Sequence, residues 1–491
     1  MFISTLLGVQ LIITMIAINL IHRLSPIYSF ARWTLCSTGL VRYLHPTDKE
    51  LRQLSGIKKK DSKPSKRTIH TQNDNIDVFQ IPKNLDIELV SQPIQEHEIY
   101  QLRYFMEYQW LVNFSLYAAL VYLSTEIYSY YSPIDNEINL SMLWCSIVIV
   151  FAFKILMSLT LEYFRGGFES SGERSTVIVA ACVYLVIAMI ILVIDESKLD
   201  VRLDTAYRSF NTTSTAFLHN HGLSSQGPAS KLIVKFFLAL WCAVTGSMFV
   251  FPGIRTAKMH WDCLRYYECN ELHGKYFSFS STFIKSFINF SLITHFLLVL
   301  LWVKPIAVDL LTAKNLSGLN KPLITLEQFE SLRCWIVVLV VFQRLYLMPM
   351  FMQAYLNMAQ ERLEQQKKEA GRITNIDLQK QVSVIFYYTC VVVLQYVIPL
   401  VMMLFFIFFY KTLGNFSWIQ VIANSSSTID NSHQHSLLEA NIAYFSIQSL
   451  KQVLTVDVYR GIFGFATWWI CFSWFLSLSV GVFYQSYLAP K

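Results

Sequence analysis

The chain has 491 residues, of which 54% are hydrophobic and 15% are charged, and its formal net charge is +7. Soluble domains carry about 25% charged residues, so this composition excludes an ordinary soluble globular protein. It indicates a polytopic membrane protein, in which an excess of basic residues belongs to the loops and is no evidence for nucleic-acid binding.

Nine apolar runs follow one another along the chain, and a run of about 20 such residues crosses the hydrocarbon as a helix. They are centred near residues 2–21, 110–131, 141–162, 176–194, 232–251, 282–303, 334–350, 384–409 and 462–484. Their length and their lack of period-two alternation exclude a transmembrane barrel. The sequence therefore predicts an all-α polytopic membrane bundle of about nine transmembrane helices.

The first run, residues 1–21, is predicted to be the first transmembrane helix. Its leading residues MFIST contain no Lys or Arg, whereas Arg23, Arg32 and Arg42 follow the run. This order favours an uncleaved span with its N-terminus outside, and a cleaved signal peptide is the alternative.

The loops carry basic residues unequally, which predicts the topology. With the N-terminus outside, 25 of the 40 Lys and Arg residues fall on inner segments and 10 on outer segments, so the C-terminus is predicted to be cytosolic. The candidate glycosylation sites are sequons that fall on the outer side, at Asn211, Asn315, Asn415 and Asn424.

Two regions are expected besides the spans. Residues 22–109 form a basic cytosolic segment, whose polar centre at 52–75 is predicted to be disordered and to leave the segment without a core of its own. The candidates for contact with anionic lipid there are Lys58, Lys59, Lys60, Lys63, Lys66 and Arg67. The alternative is that these residues only follow the positive-inside rule.

Residues 110–491 are predicted to form an eight-helix bundle with two attached segments. Residues 353–381 are rich in helix formers and should continue the seventh span into the cytosol as a helix that ends at Gly371. The glycosylated outer loop 410–461 contains an amphipathic stretch at 437–454, a candidate interfacial helix.

Catalytic signatures are missing from the sequence, which contains no HExxH, GxSxG, P-loop, GxGxxG or CxxC motif. His260, Asp262 and Cys263 lie close enough in sequence to share one side of a zinc site, but no further ligand pair has a recognisable spacing. We therefore expect no enzyme activity, no cofactor and no metal site.

Polar residues inside the spans are the stronger signal, because an ionisable side chain in hydrocarbon costs about 2.5 to 3.5 kcal/mol. At 1.5 Å per residue, three of them lie about 13 to 20 Å below the outer boundary, and Glu126 lies about 8 Å below it. The predicted intramembrane polar layer consists of Glu126, Lys154, His295, Arg344 and Gln395.

Lys154 is the least expected member of this layer, since it stands in the middle of an apolar run. Its partner is predicted to be Glu126, Glu162 or backbone carbonyls loosened near Pro349 or Pro399, or else water in a cavity. The layer serves either to hold helices together or as a permeation or sensing site, and the sequence leaves both readings open.

Ten stretches distributed over the whole chain carry a family resemblance. In collinear order they are SFARW (29–33), HPTDKEL (45–51), EYQWLVNF (107–114), FPGIRTAKMH (251–260), LWVKPI (301–306), QAYLNMAQ (353–360), KKEAGRI (367–373), YYTCVVVLQYVIPLVM (387–402), KTLGNFSW (411–418) and RGIFGFATWW (460–469). Through them the chain resembles the transmembrane protein 161 family. The stretch FAFKILMSL around Lys154 looks like that family's version of this span.

The resemblance implies a non-enzymatic, multi-pass glycoprotein linked to calcium handling, to potassium and calcium currents and to cardiac rhythm and excitability. The leading hypothesis is a regulator of the plasma membrane or endoplasmic reticulum that contacts lipids and ion channels or calcium pumps, through residues 353–381 and the basic segment. The alternative is an ion channel or transporter whose site is the midplane polar layer, with Pro349 and Pro399 breaking helices there.

Overall fold

The computed structural model describes most of the chain. The described residues are 9–24, 28–55, 79–81, 89–131, 139–166, 171–220, 230–269, 281–312, 324–368, 373–418 and 453–488.

Eight of the described helices are long and apolar enough to cross a membrane, which confirms the predicted all-α bundle. They are α5 (Phe105–Tyr131), α6 (Leu140–Arg165), α7 (Ser171–Val193), α9 (Lys231–Cys269), α10 (Ser281–Leu300), α12 (Leu326–Lys368), α14 (Thr389–Leu413) and α15 (Val456–Phe483). The first predicted run appears as a shorter helix, α1 (Val9–Leu24), and residues 1–8 lie outside the described part.

Helix α14 is the centre of the bundle. Of its 25 residues, 21 are buried, and it packs against α5, α6, α9, α12 and α15. By contrast, α7 and α10 lie at the periphery and expose apolar faces. An apolar helix surrounded by protein belongs in a core, whereas one with an exposed apolar face is covered by lipid in a membrane.

The proline-break prediction is wrong for both residues. Pro349 lies inside the continuous helix α12 and Pro399 inside the continuous helix α14. Proline is tolerated in such helices because neighbouring helices and small local adjustments satisfy the backbone group that it leaves free.

A small cap lies at the end of the bundle predicted to be cytosolic. Its elements are α2 (Phe30–Cys36), β1 (Val41–Leu44), α3 (Asp48–Ser55), β2 (Gln80–Ile81), β3 (Val90–Pro93) and α4 (Glu96–Ile99). Strand β1 pairs antiparallel with β3, with Val41 opposite Pro93. Strand β2 pairs antiparallel with β4 (Ile373–Thr374), so the cap combines two segments that are almost 300 residues apart in the chain.

The hydrophobic residues of the cap pack against residues of the bundle. Leu51 and Ile81 of the cap pack against Leu363 of α12 and Leu378 of α13 (Asn375–Tyr387). In the described part, these hydrophobic residues of the cap are therefore buried together with residues of the bundle. The predicted disorder is wrong for residues 52–55, which belong to α3. The contact of Leu51 with the bundle holds this helix in place. Residues 56–75 lie outside the described part.

The predicted helix over 353–381 is in fact two helices. Helix α12 continues the seventh span to Lys368, as expected, and Gly371 lies outside the described part. The chain then forms strand β4 and starts α13, where the Thr374 side chain accepts a hydrogen bond from the Asp377 N–H and caps the new helix. Pairing with β2 is the physical reason for the interruption.

Two more helices lie at the end predicted to face outside, α8 (Leu203–Asn220) and α11 (Val308–Thr312). A bridge between Leu199 and Val303 ties the loops that precede them. At the opposite end, α15 closes with a π-helical turn over Tyr484–Leu488. The candidate interfacial helix at 437–454 falls mostly outside the described residues.

Candidate functional site

A cavity of about 750 Å³ lies among the ends of the spans predicted to face the cytosol. It is lined by residues of α6, α7, α9, α12, α13 and α14, by Arg103 and Tyr104 just before α5, and by Gln485 of the π-helical turn. The described charged residues of its lining are Arg103, Glu162, Arg165, Glu173, Arg255, Lys258 and Arg362. Five of these seven side chains are basic, so the cavity is electropositive.

Three of the basic side chains are engaged by the lining itself. Arg103 Nη2 donates to Glu162 Oε2 at 3.0 Å, and Arg165 Nη1 lies 3.8 Å from Glu162 Oε1. Arg255 Nη1 donates to Gln395 Oε1 at 2.6 Å. These contacts hold the three guanidinium groups in place around the cavity.

Lys258 and Arg362 differ from the other cations of the cavity. Neither forms an ion pair with an acid in the part of the chain that the structure describes. The Lys258 ammonium has the thioether sulfur of Met358 at 3.9 Å, and a thioether is a weak acceptor. Asp262, four residues later on α9, also acts on Lys258 electrostatically, although the two form no ion pair at contact distance. Both cations keep donors that an incoming anion can use.

Gln395, a member of the predicted polar layer, lies at the deep end of this cavity. Besides accepting from Arg255, its amide Nε2 donates to the Tyr163 hydroxyl at 3.3 Å. Its neighbour in sequence, Tyr396, points to the other side of α14 and donates to the Arg344 carbonyl at 2.7 Å. Gln395 and Arg344 therefore lie at a similar depth, on different sides of the central helix.

Arg344 and His295, two further layer residues, are in direct contact and are both buried. Arg344 Nη2 lies 3.2 Å from His295 Nδ1, and both groups lie close to the Ser291 carbonyl oxygen, at 3.1 Å and 2.8 Å. The guanidinium carbon is 5.8 Å from the Phe351 ring centroid and 5.7 Å from that of Trp474. Carbonyl and aromatic faces thus surround this cation.

Glu126 pairs with a different cation from the predicted Lys154. Its carboxylate accepts hydrogen bonds from the Lys411 ammonium and, at 3.1 Å, from the Thr412 hydroxyl. Both partners lie at the outer end of α14, at the shallow depth that the helical rise assigns to Glu126.

Lys154 is separate from the other layer residues. It is exposed on α6, and its ammonium lies 5.9 Å from the Phe151 ring centroid. The proposed pairs of Lys154 with Glu126 and with Glu162 are wrong, since those carboxylates bind Lys411 and Arg103. The reason is the orientation of α6, which buries the face that carries Ala152, Ile155 and Leu156. The long lysine side chain is left to extend along the lipid-facing surface.

This placement predicts a contrast between two lysines. Lys154→Leu is expected to leave the free energy of unfolding unchanged or to raise it, because it removes a cation that has no acid partner among the described residues and lies on the lipid-facing surface. Lys411→Leu leaves the Glu126 carboxylate without its cation and should cost about 2 kcal/mol or more. Thermal unfolding of the purified variants in detergent compares the two, and equal destabilisation would contradict the placement of Lys154.

A buried ion network at the predicted outer end was missed by the sequence analysis. Arg333 donates to Asp200 Oδ2 at 2.9 Å and to Glu330 Oε2 at 2.8 Å, and its side chain is 0% exposed. Arg202 bonds to the same two acids, at 3.2 Å and 2.9 Å. Tyr410 of α14 donates its hydroxyl to Glu330 at 2.8 Å.

The network balances two guanidinium groups against two carboxylates. Burial by itself lowers the pKa of Arg202, but the carboxylates of Glu330 and Asp200 outweigh it and raise that pKa above its usual value. The Trp302 ring lies 4.8 Å from the Arg333 guanidinium carbon. The only signal in the sequence was the set of charged residues at the span boundaries, which was attributed to loops.

The remaining predicted residues are placed as follows. Asn415 is exposed just after α14, with a positive φ of 54°, and Asn211 is half-buried within α8. His260 is buried, with its ring centroid 6.1 Å from that of Phe351. Within the described ranges no group of three or more metal-ligating side chains forms a metal site. Outside the described residues lie Asn315, Asn424, Lys58, Lys59, Lys60, Lys63, Lys66 and Arg67.

One comparison with known proteins identifies the family. The family model described as "Predicted transmembrane protein 161AB" matches residues 5–489. The chain belongs to this family. The match to the transmembrane protein 161AB model covers the bundle, the cap and the cavity, and it confirms the resemblance carried by the ten sequence stretches. The protein is therefore an integral membrane protein of the 161AB family. No solved structure matches the chain.

Proposed function

We propose that this protein is a non-enzymatic regulator of ion homeostasis and membrane excitability, acting on calcium handling and on potassium and calcium currents. It works by contact with ion channels or calcium pumps in the plasma membrane or endoplasmic reticulum. The family resemblance supports the physiological role, and the packing of the bundle supports action by contact.

The packing of α14 is the observation that carries this proposal. Between Gln395 and Tyr410 the central helix has no charged residue, and all its residues there except Leu404 are buried. This apolar stretch is about 20 Å long and separates the inner cavity from the outer ion network. Ions need polar or hydrated groups along their path, so a packed apolar centre favours a regulator over a conduit.

The cap supports contact with a partner, because it makes the predicted cytosolic face one connected surface. Gln353 of α12 accepts from the Val41 N–H at 2.9 Å and donates to the Val41 carbonyl at 3.1 Å. Asn375 of α13 donates to Asp48 of the cap at 3.0 Å. The side of α12 left exposed below this contact includes Gln360, Glu364 and Gln365.

Flux through the purified protein tests the proposal. In sealed liposomes under a potassium or calcium gradient, we expect no more flux than in liposomes without protein. Channel currents should nevertheless change when the protein is co-expressed with the channel in cells. Flux from the protein alone, lost in Glu126→Ala or Arg344→Gln, would replace the regulator with a channel or transporter.

A charge reversal on the proposed contact surface sharpens this test. Glu364→Lys on the exposed side of α12 should abolish the change in co-expressed currents. The matched control is Asp309→Lys in α11, an exposed acid at the opposite end of the molecule, which should leave that change intact. Equal effects of both variants would show that Glu364 lies outside the contact.

The inner cavity favours one alternative, a transporter. Its volume of about 750 Å³ and its depth, down to Gln395, suit a substrate site open to one side. Because its charge is positive, such a substrate would be an anion, and the same liposomes loaded with anions test this candidate.

A further inference from the structure

The charge and the position of the inner cavity together specify a ligand. Its described lining has three more basic than acidic side chains, and it lies between helices at the level of the predicted cytosolic leaflet surface. Basic pockets at that level, between transmembrane helices, suit phosphorylated lipid headgroups.

The wall of the cavity is amphipathic. Apolar side chains such as Phe251, Ile254 and Val391 lie beside the basic groups, and the hydroxyl-bearing rings of Tyr104 and Tyr388 line it as well. A phosphorylated lipid matches both parts of this wall. Its phosphates accept hydrogen bonds from cationic side chains, and its glycerol and acyl parts contact apolar surface.

The candidate binding charges are the two cations of the lining that form no ion pair and no hydrogen bond to oxygen within the described residues. Arg103 and Arg165 lie on Glu162, and Arg255 is bonded to Gln395, so these three shape the site. Among the described residues neither the Lys258 ammonium nor the Arg362 guanidinium forms an ion pair, although Asp262 acts on Lys258 electrostatically. Both can donate to phosphate oxygens, the guanidinium in the bidentate geometry that phosphate accepts.

We propose that this cavity binds a polyphosphorylated inositol group through Lys258 and Arg362. That chemistry is common to the headgroup of a phosphorylated inositol lipid and to a free inositol phosphate. This binding does not depend on the proposed regulatory function, since it can be measured on the purified protein without any channel present.

The test uses the full-length protein in nanodiscs of phosphatidylcholine, with and without phosphatidylinositol bisphosphate, and titrates soluble inositol trisphosphate in a separate arm. We expect a saturable rise in thermal stability in at least one arm, since a ligand of the native state stabilises it. If stability rises only with the lipid, the ligand is the lipid headgroup. If it also rises with the soluble compound, the cavity binds the free inositol phosphate. No rise in either arm overturns the proposal.

Substitutions locate the site. Lys258→Gln with Arg362→Gln should weaken binding about a hundredfold, at about tenfold for each cation removed. The matched control is Arg265→Gln on the same helix, an exposed basic residue that faces Glu361 at 3.7 Å and does not line the cavity. Binding that survives the double substitution, or that Arg265→Gln weakens equally, overturns the assignment.

A variant that is expected to strengthen binding separates the loss of a binding residue from a folding defect. Glu162→Gln removes the carboxylate that engages Arg103 and Arg165, and it makes the lining more positive. Binding should become several-fold tighter than in the wild type under the same buffer conditions. Weaker binding in a folded Glu162→Gln protein contradicts the electrostatic account.

Discussion

Replacing Arg333 with methionine should lower the free energy of unfolding by about 3 to 5 kcal/mol. The side chain is fully buried and bonds to both Asp200 and Glu330. Its removal leaves two buried carboxylates with Arg202 as the remaining cation, and an uncompensated buried charge is strongly destabilising. Thermal unfolding of the purified protein in detergent, followed by tryptophan fluorescence, measures the loss.

Two controls separate this network from a general effect of losing arginine. Arg208→Met removes an exposed arginine of α8 and should change stability by no more than about 0.5 kcal/mol. Combining Arg333→Met with Glu330→Met should cost less than the sum of the two single changes, because each side chain has already lost its partner. Strict additivity would show that Arg333 and Glu330 are not coupled.

Replacing Gly253 with valine should also destabilise the bundle, by about 3 kcal/mol, at the upper end of what overpacking costs. Gly253 of α9 faces α15, where an added Cβ would overlap the Ser477 Cβ and lie 2.8 Å from the Ser477 carbonyl carbon. Backbone atoms cannot rotate away, so the two helices would have to separate. The shift of the thermal unfolding midpoint and the yield of folded protein report the damage.

Gly172 provides the matched glycine for this prediction. An added Cβ there meets no atom within 4 Å, so Gly172→Ala in α7 should leave the midpoint unchanged or raise it slightly. The contact at Gly253 belongs to a small-residue seam on α15, formed by Ser473, Ser477 and Gly481, which lets two membrane helices approach closely. A Gly253→Val protein as stable as Gly172→Ala would contradict this close approach.

The relative level of residues in different spans can be compared from the sequence, and the contact between Arg344 and His295 shows how. The helical rise per residue converts a position in a span into a depth, so residues of different spans can be compared. The two residues were predicted to lie at about the same level, and the structure places their polar nitrogens 3.2 Å apart. Their function remains a prediction.

The direction in which a side chain points was not predictable, and Lys154 is the example. Helix α6 is apolar on all sides, so no periodic pattern in its sequence indicates which face packs against neighbours. Only packing decided that Ala152 faces inward and Lys154 outward. The same limit explains why Glu126 was assigned the wrong cation, because Lys411 was counted with the outer loop.

The cap and the ion network could not be predicted from the sequence for a related reason. Strand β2 pairs with residues almost 300 positions later, and Arg333 meets an acid 133 positions earlier. The strands are only two residues long, and Arg333 is a single charged residue near the start of a long helix. Neither has a sequence pattern that specifies its partner.

By itself, the sequence determined the membrane-spanning helical class and the order of the eight long spans, and it placed most basic residues in one set of loops; the ninth predicted span is a shorter helix in the described part. These are properties of consecutive residues, since the length of an apolar run and the charge of a loop do not depend on neighbours in space. Only the tertiary structure decided which cations meet which acids and that Lys258 and Arg362 line one cavity without an ion pair among the described residues. Those outcomes depend on the rotation and the close packing of helices that lie far apart in the chain.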